Sequence, residues 1–93
     1  MIRKTPINTV GITDIQLPPN SRPLSVMLHA SMMRGKVVYM FWLLPDGWDK
    51  MEHFIYRVSG FQTDQGVPPH VMPGNLIGSV RTDHTEVHYF LER

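Results

Sequence analysis

Five histidines, His29, His53, His70, His84 and His88, are the residues of this 93-residue sequence most suited to proton transfer or metal binding. A metal needs three or four convergent ligands. His84 and His88 are four apart, but that spacing falls on a turn and a strand, and the other three lie on separate segments. No metal site and no cofactor is expected. Serines and threonines are present, yet there is no Gly-x-Ser-x-Gly elbow, His-Glu-x-x-His helix or Walker-type loop. Gly60 to Gly66 lacks the lysine that a phosphate loop requires. Asp46, Asp49 and Glu52 read as turn formers and solvated charges, so no catalytic residue is assigned and an enzyme is not expected.

Cations offer a second chemistry. If the fifth strand lies near the closing hairpin, His53, Arg57, Arg81 and His88 share a sheet face. With Arg34 and Lys36, and with Arg3 and Arg22 nearby or from a second subunit, they form a candidate anion site. The plainer account pairs Arg81 with Glu86 and leaves the others in water. Aromatics offer a third. Trp48 in the turn Pro45-Asp46-Gly47-Trp48-Asp49, together with Phe61, Gln65 and His70 of the following loop, is the candidate target-binding set. The other account of Trp48 is a cap over the sheet end.

Length and composition limit what must hold these residues. Ninety-three residues, 42% hydrophobic and 18% charged, make one globular domain over 1–93. A net charge of +1 removes the simplest argument for nucleic acid. The absence of cysteine excludes disulfides, thiolate metal sites and thiol catalysis. Basic residues at the start are not followed by an apolar run, so no signal peptide is expected.

Val37 to Leu44 is an unbroken apolar run between turn-forming brackets, Arg34-Gly35-Lys36 and Pro45-Asp46-Gly47. Eight residues are too few for a membrane helix, which needs about 20. The run therefore reads as a central strand covered on both faces. Leu24 to Ser31 alternates with a period of two and reads as its hairpin partner. A two-residue turn at Arg34-Gly35 places Val26 opposite Leu43, Leu28 opposite Phe41 and Ala30 opposite Tyr39. Val37, Tyr39, Phe41 and Leu43 then face the core. Met27, Val38, Met40, Trp42 and Leu44 form a second apolar face, covered by a second sheet or the long loop, or by association with an oligomer or partner. A three-residue turn inverts the two faces.

Further strands are expected at 2–7 (an edge, given Pro6), 10–17 and 51–59, with a long Pro- and Gly-rich loop from Gly60 to Asn75. The closing hairpin sets Arg81 opposite Glu86, Val80 opposite Val87, Ser79 opposite His88, Gly78 opposite Tyr89, Ile77 opposite Phe90 and Leu76 opposite Leu91. Together these predict an all-β antiparallel sandwich or open barrel of six or seven strands.

The order Leu17-Pro18, Leu24-Ser25-Val26, the apolar central strand, Arg57-Val58-Ser59-Gly60, Ile77-Gly78-Ser79-Val80 and Val87-His88-Tyr89-Phe90-Leu91-Glu92 resembles a family of short, uncharacterised bacteriophage proteins. The likeness spans most of the chain. It departs in a longer hairpin between the third and fourth strands and in the Pro-Asp-Gly-Trp-Asp turn, and lacks a Gly-His-Pro-like step after Gly60. The resemblance implies a phage accessory protein in the host bacterial cytoplasm, a class whose small members often block host defences. With the apolar face of the central hairpin serving association, the expectation is a non-enzymatic homo-oligomer that inactivates a component of anti-phage defence. Two alternatives accompany it: an oligomeric sponge for a cyclic oligonucleotide immune signal, and a virion or assembly accessory protein.

Overall fold

The computed structural model describes residues 1–31 and 35–92. Seven strands, β1 (Ile2–Ile7), β2 (Gly11–Leu17), β3 (Arg22–Ser31), β4 (Gly35–Leu43), β5 (Phe54–Gln62), β6 (Leu76–Arg81) and β7 (Glu86–Glu92), form two antiparallel sheets. One has the order β1-β4-β3 and the other β2-β5-β7-β6. Short 3-10 turns occupy Trp48–Lys50 and Pro73–Asn75. The fold class is therefore as expected: all-β, antiparallel, two sheets and no closed barrel. No helix among the described residues is long and apolar enough to cross a membrane.

The core lies between the sheets. From the three-stranded sheet it takes Ile7, Val38, Met40 and Trp42, and from the other Leu17, Val58, Val80, Val87 and Tyr89. Trp42 is fully buried; its indole Nε1 donates to Thr5 Oγ1 at 3.0 Å, and its ring meets Tyr56 edge-on at 5.6 Å. A buried indole needs such a partner, since an unpaired N–H in an apolar interior costs about 1–3 kcal/mol.

This inverts the expected faces of the central strand. Val38, Met40, Trp42 and Leu44, assigned above to an association face, are the interior; Leu43 is 42% exposed, and Val37, Tyr39 and Phe41 are half-buried on the outside. Met27, the fifth member of that set, is 42% exposed and pairs with Tyr39 on the outer side. The physical reason is turn length. Ser31 pairs with Gly35, so three residues separate the strands, and Val26 lies opposite Met40 rather than Leu43. An odd shift in register exchanges the faces of a strand. Gly35 adopts φ +68°, the left-handed conformation usual at the end of a three-residue hairpin loop.

The closing hairpin follows the expected register from Arg81↔Glu86 to Gly78↔Tyr89. A bulge then displaces Ile77, and Leu76 instead of Ile77 meets Phe90. The fifth strand also runs further than expected. Gly60 lies inside β5, paired with Gly11 and Tyr89, because the Tyr89 ring occupies the space over it. A Cβ there would come within 2.8 Å of that ring and 3.1 Å of Thr9 O. The Tyr89 hydroxyl donates to Thr9 O at 2.8 Å, and burial pushes its pKa up to about 12.

Candidate functional site

Three regions hold residue types capable of chemistry or recognition, and their geometries differ. The first is the outer face of the four-stranded sheet. Cross-strand pairing sets Asp14 beside Arg57 and Arg57 beside Glu92, with Ser59 between Ile12 and Phe90. Segment 63–75 folds over part of this face, burying Val71 and Ser59 and leaving a cleft of about 320 Å³ lined by Ile12, Phe61, Pro68 and His70 among others. Ser59 Oγ donates to Glu92 Oε2, and His70 Nε2 donates to Glu92 Oε1 at 2.8 Å. The carboxylate thus sits between hydroxyl and imidazole, whereas a nucleophile triad needs the imidazole in the middle. Arg57 makes two hydrogen bonds to Asp14, at 2.9 and 3.1 Å. These bonds hold the Asp14 carboxyl below its usual range and the guanidinium above its own. Every polar group here has a partner within the chain, so what the cluster does is fasten the loop and the β7 end to β5.

A second pair lies further along the same sheet. His88 Nδ1 is 2.6 Å from Ser79 Oγ, and Nε2 is 3.0 Å from Thr63 Oγ1. Thr63 Oγ1 donates to Glu86 O at 3.3 Å, which leaves its lone pairs to accept from Nε2–H and leaves Nδ1 to accept from Ser79. The hydroxyl–imidazole contact has the polarity of a nucleophile and base. Its far nitrogen meets a hydroxyl where a carboxylate would steady an imidazolium, and the cleft at the β6–β7 turn does not reach Ser79.

The third region is the outer face of the three-stranded sheet. Its rows are Ile2–Leu43–Arg22, Lys4–Phe41–Ser25 and Pro6–Tyr39–Met27, ending in Val37–His29. On these rows Ile2 is 62% exposed and Met27 and Leu43 are 42% exposed. Lys4 Nζ stands 4.5 Å from the centroid of Tyr39, and the His29 ring tilts against Tyr39 at 6.3 Å.

The expected cationic site does not assemble. Arg57 and Arg81 do face the same side, but they pair with Glu92 and Glu86, six residues apart on β7 and therefore about 20 Å along the sheet. Arg81 reaches Glu86 at 3.9 Å, His53 Nδ1 lies 3.0 Å from Met51 O, His88 is held as above, and Lys36 is ion-paired with Asp83, whose carboxyl is held low by that contact. Arg34 lies outside the described residues. Among the described residues, no three metal-ligating side chains converge.

The expected target-binding residues are also dispersed. Trp48 packs on the core with the Arg3 guanidinium 4.5 Å over its ring, as a cap on the sheet end. Phe61 packs edge-on against Phe90, and Gln65 accepts from Gln62 N at 2.7 Å within its own turn. Only Phe61 and His70 share a surface, the cleft already described. What sequence reasoning missed is the outer set Tyr39, Phe41 and Leu43. The signal was present in the run itself, where both alternations of an eight-residue strand are apolar, and only the turn length decides which is outside. Comparison of the chain with family models, curated proteins and solved structures finds no match.

Proposed function

We propose that this chain is a non-enzymatic binding protein whose contact surface is the outer face of the three-stranded sheet, centred on Tyr39, Phe41 and Leu43. The observation that carries this reading is a central strand apolar on both sides, with Val38, Met40 and Trp42 in the core, Leu43 exposed and Val37, Tyr39 and Phe41 half-buried on the outer side. The largest contiguous apolar patch on a protein surface is often a contact site. The hydroxyl–imidazole and hydroxyl–carboxylate pairs on the other sheet lack the order or the cleft that turnover requires, which favours binding over catalysis.

The partner we propose is a component of bacterial anti-phage defence, occluded in the host cytoplasm; the support for that setting is the resemblance to short phage proteins. The test is phage plating on bacterial strains that each carry one defence system and express either the native chain or Phe41→Asp. The native chain is expected to restore plating in at least one strain, and the folded variant to lose that effect. Equal restoration by both would refute the assigned surface; no restoration in any strain would remove the defence setting.

A further inference from the structure

We infer that the partner of this face is an acidic polypeptide segment bearing apolar side chains, an inference that rests on the reading of the face as the contact surface. The net charge of +1 conceals a separation. Strands β1, β3 and β4 carry Arg3, Lys4, Arg22 and Lys36 and no Asp or Glu. The acidic residues that lie in strands, Asp14, Glu86 and Glu92, are all on the other sheet.

Arg3 and Lys36 belong to the inner alternation of their strands, where Arg3 lies over the Trp48 ring and Lys36 is ion-paired with Asp83. Lys4, whose ammonium lies over the Tyr39 ring, and Arg22 are on the outer face. They stand opposite Phe41 and Leu43 on the two edge strands, flanking the apolar centre, and neither has an ion-pair partner among the described residues. An apolar, aromatic centre between two cations, with no acid on any of the three strands, complements an apolar segment with carboxylates at its rim.

A second copy fits poorly. A two-fold contact places the same patch on both sides, so Lys4 and Arg22 would meet a surface equally devoid of acids. Three strands about 4.8 Å apart and about seven residues long span a plan area of roughly 350 Å². That area suits a peptide segment. A nucleic-acid strand fits less well, because its phosphates need a row of cations to follow, and between Lys4 and Arg22 lie Phe41 and Leu43.

The experiment is an amide-resolved NMR titration of the full chain with three probes: a twelve-residue peptide alternating Glu with Leu and Phe, the same peptide with Gln for Glu, and a twelve-nucleotide oligothymidylate. The acidic peptide is expected to shift amides of Met27 and Tyr39 to Leu43. The Gln peptide should bind roughly five- to tenfold more weakly, as should the acidic peptide to the folded double variant Lys4→Glu, Arg22→Glu. Equal binding of the two peptides at this face would overturn the acidic partner and leave the contact surface standing. Tighter binding of the oligonucleotide there, or concentration-dependent shifts of those amides without any probe, would overturn it in favour of nucleic acid or a second copy. Absence of any shift on the face with all three probes at millimolar concentration would overturn both the inference and the reading beneath it.

Discussion

The two sheets of this protein treat their outer faces in opposite ways. On the four-stranded sheet, segment 63–75 folds back over β5 and β7, Val71 is buried, and Ser59, Glu92 and His70 bond the cover to the sheet. Ile12, Phe54, Ile55 and Leu76 of that sheet remain exposed, and Ile12 and Ile55 flank the Asp14–Arg57 ion pair. On the three-stranded sheet, Tyr39 and Phe41 are half-buried and Leu43 is exposed, and no acid interrupts the rows through them. The same chain thus covers part of one outer face with its own loop and leaves on the other the apolar rows where we place the contact.

The largest way to sharpen that contrast is across β4 itself. Trp42→Ala removes a fully buried ring and its hydrogen bond to Thr5, and should cost about 3–5 kcal/mol by chemical denaturation. Phe41→Ser, one residue away, should cost about 1 kcal/mol or less. The double change Met40→Asp, Trp42→Asp should unfold the chain outright, since it buries two unpaired carboxylates.

Next in size is the close approach within the core. Gly60→Ala sets a Cβ against a Tyr89 ring fixed by its hydroxyl and should destabilise by about 1–3 kcal/mol. Its companion is alkaline unfolding. The neutral phenol of Tyr89 is favoured in the folded state, with a pKa near 12 against 10.0 in the unfolded chain. Stability should therefore be intact below pH 10 and fall as pH rises from 10 towards 12, and Tyr89→Phe should remove that part of the alkaline loss.

The covered face should respond less. Val71→Ala should cost about 1–2 kcal/mol and raise hydrogen exchange locally in 63–75 before the strands. The smallest effect belongs to the exposed Asp14–Arg57 pair. The folded-state pKa of Asp14 is depressed, so its contribution is present above the unfolded value and lost as pH falls through the folded one. Asp14→Asn should remove that small contribution, so the variant is slightly less stable than the native chain at neutral pH and the two converge as pH falls through the acid range.

Much of this architecture was legible in the residues. The β6–β7 register follows from Arg81 and Glu86 flanking a short polar turn, and it held until the bulge at Ile77. The Pro6 edge strand was equally plain, because proline cannot donate to a ladder. The extension of β5 through Gly60 was not, since it depends on Tyr89 filling space from a neighbouring strand, and no residue pattern marks the bulge at Ile77. The orientation of β4 hung on one residue of turn length between Ser31 and Gly35. With apolar side chains on both alternations, hydrophobicity could not decide it. Charge separation was hidden for a related reason: Lys4, Arg22 and Lys36 are scattered in sequence and meet only when β1, β3 and β4 form one sheet.

The most direct test of the bare face uses the absence of cysteine. Single variants Met40→Cys and Phe41→Cys, labelled with a maleimide in the native state and again in denaturant, report which side of β4 meets solvent. The thiol at position 41 is expected to react in the native protein nearly as fast as in the unfolded chain. The thiol at position 40 should be protected on the order of 100-fold or more, reacting only through opening of the core. Protection at 41 with reactivity at 40 would mean that the strand is turned the other way and the proposed contact surface is core.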